Sequence, residues 1–135
     1  MIILDETDKL CLFYLYEDVQ LLDKESNQVL FTDSFYGDPS CGLIDTDNRY
    51  SIVGGKHLTL WTCYGGRSKV TKFETREFSN IEKLRSIDKD TIKVLIDPWS
   101  EYGAIWQLTI SSKLLYKISS FVEYKNELYT DDITC

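Results

Sequence analysis

The sequence is poor in the residues that most often build catalytic and zinc sites. It has one histidine, His57, and four cysteines, no two of which form a Cys-x-x-Cys pair. The usual zinc and thioredoxin-like spacings are therefore absent. His57 and Cys63 share a strand face, but six extended residues would hold them about 20 Å apart, whereas a nucleophile and its base need about 3 Å. Although folding could bring His57 to another cysteine or a serine, we expect a structural histidine beside a Gly-Gly turn.

Long apolar runs are also absent. The apolar cluster from Leu10 to Tyr16 is far shorter than the roughly 18 to 20 residues that span a bilayer, so no transmembrane helix is predicted. Met1 to Asp8 lacks the basic start, the longer apolar region and the small-residue cleavage site of a secretory signal. We therefore expect a cytoplasmic protein with no membrane partner and with reduced cysteines.

Basic residues are too few to balance the acids: 15 Lys and Arg stand against 22 Asp and Glu, a net charge of −7. Such a field repels phosphates, so direct nucleic-acid binding is not expected. A basic protein partner is favoured instead. Acidity can also serve solubility alone, and that simpler interpretation stays open.

Three motifs look chemical at first and have simpler explanations. Asp45 to Asn48 has the alternating oxygen donors of a calcium loop, but the glycine and glutamate that should follow at fixed positions are missing, so Asx turns are predicted. Gly54-Gly55 and Gly65-Gly66 each precede a basic residue as in a phosphate loop. Both pairs lie between strands with no helix after them, which indicates hairpin turns. No catalytic, cofactor-binding or metal-binding residue is predicted.

The sequence does contain runs in which apolar and polar residues alternate. From Thr91 to Ser111, two apolar runs alternate with polar residues at the period of a strand, joined by a short loop that contains Pro98 and Gly103. This predicts a β-hairpin with Val94 and Trp106 on its core face. Similar short runs recur along all 135 residues, a length that fits a single domain, 1–135.

The predicted fold is mainly β: an antiparallel sandwich or barrel-like meander of eight to ten strands with one short helix at about residues 79–88. The helix prediction rests on a capping box, Ser79 with Glu82, and on apolar residues every three positions. Thr32 to Asn48 is predicted to be a long loop. Trp61 and Trp106 suggest propeller blades, but no repeat of that period is recognisable and the chain is short for several blades.

The candidate site consists of acidic and aromatic residues that share two loops. This composition is typical of a protein-binding surface with a basic partner, although the aromatic residues could instead cover the end of a sheet. The candidates are Phe35, Tyr36, Asp38, Asp45 and Asp47 in the first loop, and Asp97, Trp99, Glu101 and Tyr102 in the second.

A small, acidic, single-domain chain without catalytic motifs resembles the immunity proteins of bacterial toxin systems, including contact-dependent growth inhibition. The resemblance implies binding of a basic toxin domain, such as a nuclease, and inhibition by covering its active site. Two alternatives remain. One is a β-barrel or sandwich that holds a small ligand in a cavity lined by Trp61 and Trp106, and the other is a hydrolase that uses two carboxylates. The sequence does not determine the oligomeric state.

Overall fold

The computed structural model describes residues 1–120, which form twelve β-strands and one short 3-10 helix. The predicted strand at Phe121 to Tyr129 and the acidic tail Thr130 to Cys135 lie outside the described residues. The strands are β1 Ile2–Glu6, β2 Leu10–Leu15, β3 Asp18–Asp23, β4 Gln28–Ser34, β5 Cys41–Ile44, β6 Tyr50–Gly54, β7 Leu58–Tyr64, β8 Arg67–Phe73, β9 Ile81–Asp88, β10 Thr91–Ile96, β11 Ala104–Thr109 and β12 Leu114–Ser120. The 3-10 helix is Arg76–Phe78.

The strands form three antiparallel sheets of four, and each sheet is a meander of consecutive strands. The orders are β1-β2-β3-β4, β5-β6-β7-β8 and β9-β10-β11-β12. The mainly-β antiparallel class is thereby confirmed. Packing is sandwich-like, with sheet face against sheet face, and the strands of residues 1–120 close no barrel.

Stacked four-stranded meanders are the units of a β-propeller, and we call the three sheets blade 1, blade 2 and blade 3 in chain order. Their first strands are neighbours, because β1 contacts β5 and β5 contacts β9. These strands begin at Ile2, Cys41 and Ile81, an interval of about 40 residues, which is the length of a propeller repeat. The described backbone therefore contains a repeat of about 40 residues that has no matching repeat of residue types.

Blade 2 is covered on both faces. Toward blade 3, Ile52 and Leu60 belong to an apolar cluster that also contains Ile92 and Leu108. Toward blade 1, Val53 and other residues pack in a second cluster with Leu12, Leu21 and Phe31 of blade 1. Since alternate residues of one strand point to opposite faces, β6 and β7 are buried almost throughout. Residues 1–120 thus form two cores with one blade between them.

Each core contains a tryptophan from the third strand of a blade, pointing toward the preceding blade. Trp61 stacks on Phe31 of blade 1 with ring centroids 6.4 Å apart. Trp106 meets Phe78 edge-on at 5.0 Å. These pairs are typical aromatic packing geometries, so the two tryptophans strengthen two separate inter-blade contacts.

The predicted helix at residues 79–88 was wrong, because this segment is the strand β9. A β-bulge explains the misleading period: Ile96 pairs with Ile81 and Leu95 pairs with Lys83, which leaves Glu82 unpaired. The extra residue places Ile81 and Leu84, three positions apart, on one sheet face. The expected cap, Ser79, follows the 3-10 helix and donates its hydroxyl to the Arg76 carbonyl at 2.9 Å.

The long loop predicted at Thr32 to Asn48 was also wrong. β4 continues to Ser34, and residues 41–44 form the first strand of blade 2. Only residues 35–40 link blade 1 to blade 2. The strand signal was weak there because a buried aspartate, Asp33, alternates with Phe31 and Phe35 on the core face.

Both Gly-Gly turns are hairpin connections, as predicted. Glycine is needed in the two turns for different reasons. Gly65 and Gly66 have φ angles of +58° and +76°, the left-handed region that glycine adopts at least cost. Gly54 instead provides space, because a Cβ there would lie 2.6 Å from Ile81 Cγ2.

The packing leads to a stability prediction. Phe78 is 1% exposed in the core between blades 2 and 3, so Phe78→Ala should lower the free energy of unfolding by about 3–5 kcal/mol. Urea denaturation measures the change. The control Tyr36→Ala removes a ring that is 86% exposed and should change stability by less than about 0.5 kcal/mol; equal losses in the two variants would contradict the described core.

Candidate functional site

The two ends of the blades carry different connections. One end holds the inter-blade linkers 35–40 and 74–80 together with the β2–β3, β6–β7 and β10–β11 connections. We call it the linker face. The other end holds the remaining hairpin turns, and we call it the turn face. Antiparallel connections alternate between ends, so the side on which a loop residue lies follows from its place in the meander.

An open cleft of about 610 Å³ lies on the linker face between blades 2 and 3. Its walls come from both linkers and from the β6–β7 and β10–β11 connections. Its charged lining residues are Asp38, Lys56, Glu82, Lys83 and Asp97. The volume lies within the range of small-molecule sites, but the lining is largely polar and Trp99 supplies its one aromatic side chain.

The β10–β11 connection is held in one conformation by its own hydrogen bonds. Asp97 accepts from the Trp99 amide at 3.0 Å through its carboxylate and from the Ser100 hydroxyl at 2.7 Å through its carbonyl. The Asp97 amide in turn donates to the Asn80 carbonyl at 2.8 Å. Gly103 is required here, because a Cβ would lie 2.8 Å from the carbonyl oxygens of Asp97 and Pro98. A braced loop therefore presents Trp99, which is 70% exposed.

Five of the nine predicted site residues lie on the linker face. Asp38, Asp97 and Trp99 line the cleft, while Tyr36 and Glu101 are exposed on the same two connections. The structure thus brings together residues that are about sixty positions apart in the chain, because linker 35–40 and the β10–β11 connection end at the same side of neighbouring blades.

The other four candidates are not part of this exposed surface. Phe35 is buried and stacks on His57 with centroids 4.0 Å apart, and Tyr102 packs half-buried against the core. Asp45 and Asp47 lie at the turn face, where both accept hydrogen bonds from Arg49. Of the nine residues, five therefore lie on the surface of the linker face, two are packed beneath it and two lie at the turn face.

A buried polar network joins blades 1 and 2 beneath Phe35. Asp33 is 6% exposed, and its carboxylate contacts His57 Nε2 at 2.7 Å and Lys72 Nζ at 2.9 Å. The Thr59 hydroxyl donates to the same carboxylate. These three side-chain partners come from blade 2, so the network ties the last strand of blade 1 to the next blade.

The network sets the pKa of Asp33. Burial alone would raise this pKa, but hydrogen bonds from Thr59, His57 and Lys72 outweigh it and hold the pKa below its usual value. The hydrogen bond to Asp33 in turn raises the pKa of Lys72. His57 is therefore a partner of Asp33 in this network. The Asp33 carboxylate lies between blades 1 and 2 and does not line the cleft.

Sequence reasoning missed Asp33 and the polar cleft residues. The available signal for Asp33 was its alternation with Phe31 and Phe35, which places it on the apolar face of a strand. Lys56 and Asn80, which share a hydrogen bond of 3.1 Å, gave no signal, because their meeting depends on how two blades stack.

Residues 1–120 contain neither a metal-ion cluster nor a membrane-spanning helix. No group of three or more His, Cys, Asp or Glu residues in this range is placed to hold a metal ion. No helix in the same range is long and apolar enough to cross a membrane. Cys11, Cys41 and Cys63 form no disulfide within residues 1–120. Cys41 is half-buried and packs against the core.

No protein-family model and no curated protein matches this sequence. Among solved structures, the chain is similar to hydrazine synthase of Kuenenia stuttgartiensis, with a TM-score of 0.56 and 13% sequence identity over 87% of this chain. The matched region spans 35% of that chain. At this identity the likeness concerns the fold alone.

The Asp33 network leads to a prediction about pH. Asp33→Asn should lower the free energy of unfolding near pH 7 by about 2–4 kcal/mol, because the NH2 group of asparagine cannot accept a hydrogen bond and would face donors of the network. The exposure of Lys72 limits the loss. The folded pKa is below the unfolded value of about 3.9. The stabilisation is therefore complete above that value and is lost as the pH falls through the folded pKa.

Denaturation measured from pH 7 to pH 2 tests this. The wild-type protein should lose stability below about pH 4, whereas Asp33→Asn should lose less over the same interval. Asp8→Asn, an exposed carboxylate in the β1–β2 turn, is the matched control and should follow the wild-type profile. If Asp33→Asn lost as much stability as the wild type below about pH 4, the assigned network would be contradicted.

Proposed function

We propose that the linker face binds a basic protein partner and that the chain acts as an immunity protein, covering the active site of a basic toxin domain such as a nuclease. The observation that carries the proposal is the placement of two exposed aromatic side chains, Tyr36 and Trp99, beside Asp38, Asp97 and Glu101 at one end of the blades. Exposed aromatic side chains among charged residues are typical of binding hot spots; three acids and two lysines line the cleft itself.

The rigidity of the surface supports the proposal. Hydrogen bonds fix the β10–β11 connection, and Phe35 anchors the linker beside Tyr36 by stacking on His57. A surface fixed before binding loses little conformational freedom in the complex. The net charge of −7 would speed the encounter with a basic partner.

The positions of the tryptophans favour a protein partner over a small ligand. Trp61 lies in the core between blades 1 and 2, and Trp106 packs against the core between blades 2 and 3. They do not line a shared cavity, which the ligand-binding alternative required. Trp99, by contrast, lies on the surface among acids.

The direct test is capture of the product of the upstream neighbouring gene by the immobilised full-length chain, followed by calorimetry. Trp99→Ala should weaken binding by about 2 kcal/mol or more, roughly a thirtyfold rise in Kd. Asp38→Asn combined with Glu101→Gln should mainly slow association and reduce its dependence on salt.

The controls lie at other parts of the surface. Tyr64→Ala removes a half-exposed ring at the turn face, and Asp8→Asn with Glu25→Gln removes two exposed acids from turn-face connections. Both should bind like the wild type. Capture of no neighbouring gene product, or an equal loss in Tyr64→Ala, would overturn the proposal.

A further inference from the structure

The β2–β3 connection carries a tyrosine in a conformation that tyrosine rarely adopts. Tyr16 has a φ angle of +58°, in the left-handed region where a Cβ lies too close to the backbone. A two-residue hairpin loop such as Tyr16-Glu17 needs positive φ at its first position, where glycine or asparagine is usual. Asn27 and Asn48 adopt this φ in two other connections. The backbone at position 16 therefore does not require tyrosine and is less stable with it.

Packing does not explain the choice of tyrosine at this position. The Tyr16 side chain is 81% exposed, so folding removes little of its apolar surface from water. Aromatic side chains stabilise a fold mainly through the area that they bury, and this ring therefore offsets little of the strain in its turn. Backbone strain of this kind is found mainly at functional positions. Tyr16 thus has the exposure and the strain of a binding residue and no part in the two cores.

Tyr16 lies beside the surface that we propose for the partner. The Phe35 amide donates to the Glu17 carbonyl at 2.9 Å, which fixes the β2–β3 connection against the start of linker 35–40. Tyr16 and Tyr36 are each one residue away from this hydrogen bond. Both side chains are exposed at the linker face, so blade 1 adds an aromatic residue next to one that already belongs to the proposed surface.

The charges around Tyr16 match those of the neighbouring linker. Glu17 and Asp18 are both exposed, and neither forms an ion pair within residues 1–120. The Asp18 carboxylate accepts a hydrogen bond from the Ser34 hydroxyl at 2.9 Å, which leaves its charge in place. An exposed aromatic side chain beside acids that no cation neutralises suits a basic partner.

We propose that Tyr16 is a third aromatic contact for the basic partner, so that the binding surface extends from Trp99 on blade 3 to the β2–β3 connection of blade 1. The inference rests on the proposed function and deepens it.

The spacing of the blades indicates the kind of partner. Packed sheets lie about 10 Å apart, so aromatic residues on blades 1 and 3 are separated by about 20 Å or more. This span exceeds the reach of a single side chain seated in the cleft. It fits a folded basic domain that covers the linker face and buries about 800 Å² on each partner.

Paired measurements of stability and binding on the full-length chain test this role. Tyr16→Asn relieves the strained backbone and removes the ring, so it should raise the midpoint of urea denaturation. The same variant should raise the Kd for the captured neighbouring gene product by roughly fivefold or more. Tyr16→Phe keeps the ring and should bind within about twofold of the wild type. A residue that served only the fold would not change stability and affinity in opposite directions.

Lys113→Asn is the matched control, because Lys113 has a φ angle of +57° in a turn-face connection. It should also raise the denaturation midpoint, but its distance from the linker face should keep the Kd within about twofold of the wild type. An equal loss of affinity in Lys113→Asn would overturn the inference.

The inference and the proposed function can fail separately. If the partner is captured and Trp99→Ala weakens binding, while Tyr16→Asn binds like the wild type or is less stable than it, the role of Tyr16 is overturned and the proposed function stands. Capture of no partner would overturn the proposed function, and the role of Tyr16 with it.

Discussion

The structure depends on burying both faces of a four-stranded sheet. Both faces of blade 2 are apolar, and neither can stay in water at low cost, since apolar surface removed from water contributes about 25 cal/mol per Å². Stacking on its neighbours buries both faces, with β6 and β7 buried almost throughout. The positions of the linkers and of the cleft follow from stacking blades in this way.

Polar contacts then fix how the blades are aligned. Apolar packing alone tolerates sliding of one sheet on another, whereas the carboxylate of Asp33 requires His57, Thr59 and Lys72 at defined positions. An unpaired buried charge is costly, so the network penalises misalignment of blades 1 and 2. The same alignment positions Phe35 and the linker beside Tyr36. Stability and the proposed binding surface are thus linked through a few residues.

The alternation of apolar and polar residues predicted most strands correctly. It failed at a β-bulge and at a buried charged residue. The hairpin at Thr91 to Ser111 and the Gly65-Gly66 turn follow from alternation and turn chemistry. The bulge at Glu82 imitated a helical period, and the buried charge of Asp33 hid the end of a strand. The repeat of blades could not be recognised in the sequence, because matching positions of the three blades are alike in burial and in side-chain direction but differ in residue type. Of the site, composition identified Trp99 and Asp38, but their common cleft is a product of stacking.

Amide hydrogen exchange of the full-length chain tests the stacked-blade arrangement most directly. Amides of β6 and β7 are sealed between two cores, so their exchange should require global unfolding and should be the slowest in residues 1–120. The outer strands β4 and β8 should exchange faster. Amides of β6 and β7 that exchange as fast as those of β8 would contradict a middle blade enclosed on both faces.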